Sequence, residues 1–230
     1  MNKKTVFITG SSGTLGKELV LYYLKKKYKV LATTRNASKA VIKSKNLEIY
    51  KIDITKDKDI KKLINILNKK KIIIDSLINN SAMASGSLTE MTPIKTLKSV
   101  FEVNFFSQVK VIQNLLRFLK KSNNPCILNI GSISGLMPEK GFLSYGASKC
   151  ALMYSTKIMA LEFKRHKIRV NAIAPGIFKS NMSDKMDKKS KQKLLSKSSS
   201  KKIIKIKRIL NLIHSILSSN KINGKIVKIN

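Results

Sequence analysis

A run of β-branched and apolar residues, Thr5 to Thr9, leads straight into Gly10-Ser11-Ser12-Gly13-Thr14-Leu15-Gly16 and then into a segment of helical spacing. A strand that passes through clustered glycines into a helix is the opening of a parallel strand–helix–strand unit, and few folds accept it. The helix is expected to continue to about Lys27, with Leu15, Leu19, Tyr22 and Tyr23 on its inner face. The alternation then persists. Val30 to Thr34 reads as a second strand, Leu47 to Ile52 as a third, Ile72 to Ile78 as a fourth, Ile127 to Ile130 as a fifth, Val170 to Ala174 as a sixth and Gly224 to Ile229 as a last. Between them, Asp57 to Lys70 keeps a 3.6-residue period through Ile60, Leu63, Ile64 and Leu67. Pro93 is expected to open one long helix to about Lys120, and Tyr145 to Arg165 forms another. This pattern predicts a three-layer, doubly wound parallel α/β sheet in a single domain spanning 1–230.

The glycine-rich junction suits a pyrophosphate. Glycines let backbone N–H groups approach an anion closely, and the following helix N-terminus carries a partial positive charge. The candidate contacts there are Gly10, Ser11, Ser12, Gly13, Leu15 and Gly16. The second strand ends in Thr33-Thr34-Arg35 with no acid to accept a ribose 2′-hydroxyl. Arg35 can instead pair with a 2′-phosphate, which favours NADP(H) over NAD(H). Asp53 and Ile54, at the end of the third strand, are candidates for the adenine side; Asp53 can equally cap the turn into the next helix.

Ser132 follows an apolar strand, and Tyr145 and Lys149 lie four residues apart. On a helix that spacing places ammonium and phenol on one face. A nearby cation is expected to lower the phenol pKa and prepare it for proton exchange with an alcohol or carbonyl. Spacing alone is not specific: Tyr22 with Lys26, and Tyr23 with Lys27, share it and are expected to be ordinary surface pairs. Context separates Tyr145, because Ser132 sits at the carboxyl end of a strand, where open α/β sheets bind ligands. Asn104 is a polar residue inside a predicted helix and joins the candidates.

Taken together, Thr9 to Gly16, Asn79-Asn80-Ser81-Ala82, Asn104, Gly131-Ser132, Tyr145 to Lys149 and Asn171 to Gly176 resemble the short-chain dehydrogenase/reductase family. Within it, Arg169 to Gly176 is similar to the 3-oxoacyl-[acyl-carrier-protein] reductases. The resemblance implies a Rossmann fold and an NAD(P)H-dependent oxidoreductase interconverting a ketone and a secondary alcohol, with a 3-oxoacyl thioester as one candidate substrate. It implies Tyr145 as acid/base, Ser132 on the substrate oxygen, Lys149 on the nicotinamide ribose and Asn104 holding a relay water. Asn80, Pro175 and Gly176 would lie beside the cofactor. It also implies a homodimer or homotetramer. Three departures stand out: glycines at 10, 13 and 16, a spacing more usual among relatives acting on nucleotide sugars; Ser81-Ala82 in place of Ala-Gly; and no terminal glycine pair before Asn230. The first supports an alternative substrate, a sugar or nucleotide-sugar ketone.

The formal charge of +35 comes almost wholly from lysine, spread along most predicted helices. That is a solvated surface with weak, non-specific affinity for polyanions rather than a nucleic-acid site. A non-catalytic basic protein on the same scaffold is the rival from another class. Cys126 and Cys150 lack metal-ligand spacing, His166 and His214 stand outside the motifs, and no metal site is expected. No apolar stretch is long enough for a membrane span or a signal peptide, so a cytoplasmic location is expected. Residues 180–202 break the pattern with dense lysine and serine. They read as a disordered insert or as a partly helical lid, the second favoured by the apolar pair Leu194 and Leu195 and by the position just after Pro175-Gly176.

Overall fold

The computed structural model describes residues 3–36, 42–184, 192, 195 and 202–229. It opens with β1 (Thr5–Ile8), whose four residues are all buried. From there the chain passes through α1 (Thr14–Lys25), β2 (Lys29–Thr34), β3 (Leu47–Lys51) and α2 (Asp57–Lys69) before returning to β4 (Ser76–Asn79). It continues through α3 (Ile94–Phe101), a π-turn (Glu102–Phe106), α4 (Ser107–Leu119), β5 (Cys126–Ile130), α5 (Leu143–Glu162) and β6 (Arg169–Pro175). The short α6 (Asn181–Asp184), α7 (Ile206–Ser218) and β7 (Ile226–Ile229) complete it. The seven strands lie in the order β3-β2-β1-β4-β5-β6-β7, and every pairing is parallel. The order reverses between β1 and β4, and at such a switch point the carboxyl ends of the strands open a crevice.

Two apolar layers cover the sheet. One packs Phe7, Leu77 and Ile127 of the strands against Leu63 and Leu67 of α2 and Ile112 and Leu115 of α4. The other packs Val6, Ile8 and Leu128 against Leu15 and Leu19 of α1 and Ile209 and Ile213 of α7. Strands buried on both faces read as continuous apolar runs, which is why β1, β5 and β6 are visible in the sequence.

The structure departs from the sequence reading in local ways. β4 begins only at Ser76: before it, Ile72 N and Ile74 N donate to Leu67 O at 3.1 Å and Phe118 O at 3.2 Å on the helices, and the Asp75 carboxylate accepts from Thr5 N at 2.7 Å and Ser122 Oγ at 2.6 Å. The long helix after Pro93 is broken by the π-turn around Asn104. α5 starts at Leu143 and gives way at Phe163 to a 3₁₀ turn that ends with Lys167 in the left-handed region. Tyr23 and Lys27 are no surface pair. Tyr23 is wholly buried and its hydroxyl lacks a partner among the described residues, while Lys27, at φ 62, lies beyond the end of α1, off the helical spacing. Tyr22 behaves as expected, with Lys26 Nζ 5.6 Å from its ring centroid.

Arg169, 7% exposed, has no carboxylate beside it among the described residues. Its guanidinium donates instead to Ile216 O at 3.0 Å, Leu217 O at 3.0 Å and Ile222 O at 3.1 Å, around the carboxyl end of α7. There the helix dipole favours a cation.

Candidate active site

The carboxyl ends of β1, β4, β5 and β6 bring the sequence candidates to one edge of the sheet. At the first, Gly10 takes φ +69, a conformation that suits glycine. A Cβ on Gly16 would collide with the Gly10 carbonyl, so α1 leaves the strand at close quarters. Gly13 is different: it is exposed, and a Cβ there would meet nothing nearer than Gly10 O at 3.6 Å. The first turn of α1 has no side-chain cap, leaving its N–H groups to face that open space. An anion of pyrophosphate type fits this cradle.

The other members of the glycine-rich turn divide by what they touch. Ser11 is tied to β2, its N–H and hydroxyl donating to Thr33 O at 3.0 and 3.1 Å. Leu15 and Ile54 bury their side chains in the core and can offer only backbone. Ser12 is half-buried at the turn's surface. Arg35 is exposed and near enough to Asp53 to help hold its carboxyl below the usual range. Asp53 itself accepts from Thr55 N at 3.1 Å and Thr55 Oγ1 at 2.8 Å, so it caps the turn into α2, one of its two expected roles.

Asn80 clamps the turn from the side. Its amide donates to Thr9 O at 3.0 Å and Gly10 O at 3.1 Å, and its backbone N–H binds Thr9 Oγ1 at 2.9 Å. Pro175 ends β6, buried, and the Gly176 N–H is taken by Ile229 O at 2.9 Å.

Ser132 caps the 3₁₀ turn Ile133–Gly135, its hydroxyl accepting from Ser134 N at 3.2 Å. Across from it on α5, Lys149 is 1% exposed; its Nζ donates to Ile130 O at 2.7 Å and stands 5.9 Å from the Tyr145 ring centroid. Burial brings the Lys149 ammonium down to about 8. Burial also raises the Tyr145 phenol, with the neighbouring Ser132 hydroxyl pulling the other way. The expected lowering of the Tyr145 pKa is therefore corrected. Desolvation of the phenolate outweighs any help from the ammonium. Near neutral pH the pair is a phenol beside an ammonium, a proton donor.

Asn104 is fully buried in the π-turn. Its Oδ1 accepts from Met83 N at 2.8 Å, and its Nδ2 donates to Met83 O at 2.8 Å and Ser148 Oγ at 3.0 Å. Both amide hydrogens are committed to protein. The side chain joins the loop after β4 to α5 rather than standing free to donate to a water. Ser148 completes the link by donating to Tyr145 O at 2.8 Å. The sequence reading carries Thr9, Ser81 and Ser148 only as members of its motifs, with no role for their contacts, and it does not single out Gln108 at all. The available signal for Gln108 is a second polar residue four positions after Asn104, on an otherwise apolar helix face.

Among the described residues no cluster of His, Cys, Asp or Glu could hold a metal ion, and no helix is long and apolar enough to cross a membrane. Of the 180–202 segment, residues 180–184, 192, 195 and 202 are described; Leu194 lies outside them. Asn181 N donates to Thr14 Oγ1 at 3.3 Å, and a bridge between Phe178 and Ile204 joins the two flanks of the segment.

A parallel sheet with its crevice at the switch point and a glycine-rich turn before α1 is the Rossmann-type doubly wound fold. Residues 4–191 match the short chain dehydrogenase family, and the chain belongs to it. It is 30% identical over 237 residues to a 3-oxoacyl-[acyl-carrier-protein] reductase of Buchnera aphidicola subsp. Schizaphis graminum, covering 100% of this chain and 97% of that one. Among solved structures, ElxO with NADP bound superposes with a TM-score of 0.88 at 27% identity, covering 99% of this chain and 97% of the other. A 4-hydroxyisoleucine dehydrogenase complexed with NADH gives 0.87 at 27% identity and the same coverage. The chain is an oxidoreductase.

Proposed function

We propose that this protein reduces a ketone to a secondary alcohol with NADPH, using Ser132, Tyr145 and Lys149. The observation that carries the reading is the buried Lys149 ammonium, anchored on Ile130 O beneath the Tyr145 ring, with the Ser132 hydroxyl near enough to the phenol to favour its ionised form. A nicotinamide cofactor supplies the hydride when bound. Ser132 holds the substrate oxygen and Tyr145 protonates it. Lys149 places a positive charge beneath the phenol, offsetting part of the cost of forming phenolate as the proton leaves. Gly10, Ser12, Gly13 and the first turn of α1 hold the pyrophosphate, and Asn80 fixes the turn from behind. Pro175 and Gly176 close the nicotinamide side. A 3-oxoacyl thioester is the favoured substrate because the Buchnera relative, matched end to end, carries that activity in its name.

The test is NADPH consumption against panels of 3-oxoacyl thioesters, small ketones and sugar or nucleotide-sugar ketones. Turnover confined to the sugar panel would favour the alternative suggested by the glycine spacing. NADPH binding without turnover on any panel would favour a non-catalytic role.

Arg35 is the reason for preferring NADP(H). Exposed at the end of β2, it has room to meet a 2′-phosphate. Arg35→Asp is expected to weaken NADPH binding about tenfold, because a charge-assisted hydrogen bond is replaced by like-charge repulsion. NADH binding should hold or improve. Titration of both cofactors against both proteins reads the ratio, and an unchanged ratio removes Arg35 from the assignment.

The outer face of α5 leaves Leu143, Tyr154, Ile158 and Leu161 exposed, spaced to lie along one side of the helix. Water-facing apolar area of this kind supports a homo-oligomer built on α5. Light scattering on the purified chain tests it; a monomer at micromolar concentration would count against this face. A cytoplasmic location accords with Cys126 and Cys150 being unpaired thiols, and fractionation of the producing cell would check it.

A further inference from the structure

The helix that carries Asn104 sends a second carboxamide toward the cofactor cradle. Gln108, 0% exposed, donates through Nε2 to Ser81 O at 2.7 Å and to Val103 O at 3.2 Å. The amide orientation is settled by those partners, since the reverse would set Oε1 against two carbonyl oxygens. Oε1 is buried with no hydrogen-bond partner among the described residues. An unpaired buried acceptor destabilises a fold. Packing alone would be better served by Leu or Met, so the use of glutamine points to its two donors.

Both donors end on segments that shape the site. Val103 belongs to the π-turn, where the widened backbone directs Asn104 onto Met83 and Ser148. Ser81 is the strut behind Gly10. Its N–H binds Thr9 Oγ1 at 3.0 Å, and its Oγ and Cα lie 2.8 and 2.9 Å from where a Gly10 Cβ would stand. Packing that close leaves Gly10 no freedom to keep its place if Ser81 shifts.

We propose that Gln108 is a positioning residue for the dinucleotide turn, holding Ser81 against Gly10 so that the turn presents its N–H groups to the pyrophosphate. The inference rests on the assignment of the glycine-rich turn to the cofactor. It predicts an effect common to both dinucleotides, because the pyrophosphate is the part they share.

Calorimetric titration of NADPH and NADH into wild type, Gln108→Met and Gln108→Asn tests it. Asn114→Ala, on the same helix and with its amide donating to Lys110 O within it, is the control. Gln108→Met keeps the volume and removes the donors. It is expected to weaken both cofactors by the same factor, about tenfold, raising the cofactor KM while kcat at saturating cofactor stays within roughly twofold. Gln108→Asn keeps the amide on a shorter reach and should weaken both in the same sense; it decides the question if the Met variant does not fold. A merely structural role would lower Tm and leave both dissociation constants at the wild-type value, and that result overturns the proposal. A loss confined to NADPH would overturn it too, by pointing to the 2′-phosphate. If wild type itself binds neither cofactor, the assigned function fails first and the inference falls with it.

Discussion

Replacing Tyr145 by Phe is expected to lower kcat for the proposed ketone reduction by about 10²–10⁴ while NADPH still binds, because the phenolic proton is lost and the ring is not. The wild-type pH profile should carry the same signature. Burial sets Lys149 at about 8 and raises Tyr145 above its ordinary value. Below pH 8 the site holds ammonium and phenol, the state that can donate a proton. Reduction is expected to be level there and to fall as the pH rises through 8, when Lys149 loses its charge. The measurements are steady-state rates of wild type and Tyr145→Phe across pH 6–10 on one identified substrate. Wild-type kcat in the Phe variant, or a reduction rate that climbs above pH 8, would remove the Ser-Tyr-Lys assignment.

Gly135→Ala should be nearly as damaging without touching a reacting group. The 3₁₀ turn after Ser132 lies directly on α5, and a Cβ on Gly135 would come within 2.7 Å of Cys150 N and 2.9 Å of the Lys149 carbonyl carbon. Backbone cannot swing aside as a side chain can, so the turn and α5 must separate. That moves Ser132 relative to Tyr145 and Lys149, and misplacement by about 1 Å is worth roughly 10² in rate. The variant should lose kcat by about that factor and keep its NADPH affinity, since the pyrophosphate cradle lies on β1 and α1. Single-turnover kinetics and cofactor titration separate the two; an unaffected kcat would mean that the turn can slide on α5 at no cost to the site.

The parts of this site that can be read from sequence are those fixed by neighbours in the chain. Gly10 to Gly16, Tyr145 with Lys149, and the apolar strands each announce themselves within a few residues. What stays hidden depends on partners far along the chain. Asn80 reaches Thr9 and Gly10, Gln108 reaches Ser81, and Asn104 reaches Met83 and Ser148. The π-turn leaves no mark because one added residue barely disturbs an apolar period across so long a helix. The direction of the Tyr145 shift is hidden for a related reason: the charge of Lys149 is visible in sequence, whereas the desolvation that outweighs it belongs to the packed site. Tyr23 differs from Tyr22 on the same account, one ring facing the core and the other its edge.

Arg169 and Lys149 share a property that bears on a chain with 47 basic and 12 acidic residues. Carboxylates are scarce, and both buried cations are bound by main-chain carbonyl oxygens instead. Such contacts lie beneath the surface, where mobile ions screen poorly, whereas lysines on the outside repel one another across water and are screened within about 8–10 Å at physiological ionic strength. Added salt therefore eases the exterior and leaves the anchors of the interior untouched. The molecule is divided electrostatically into a shell that answers to ionic strength and an interior, around Lys149 and Arg169, that is insulated from it.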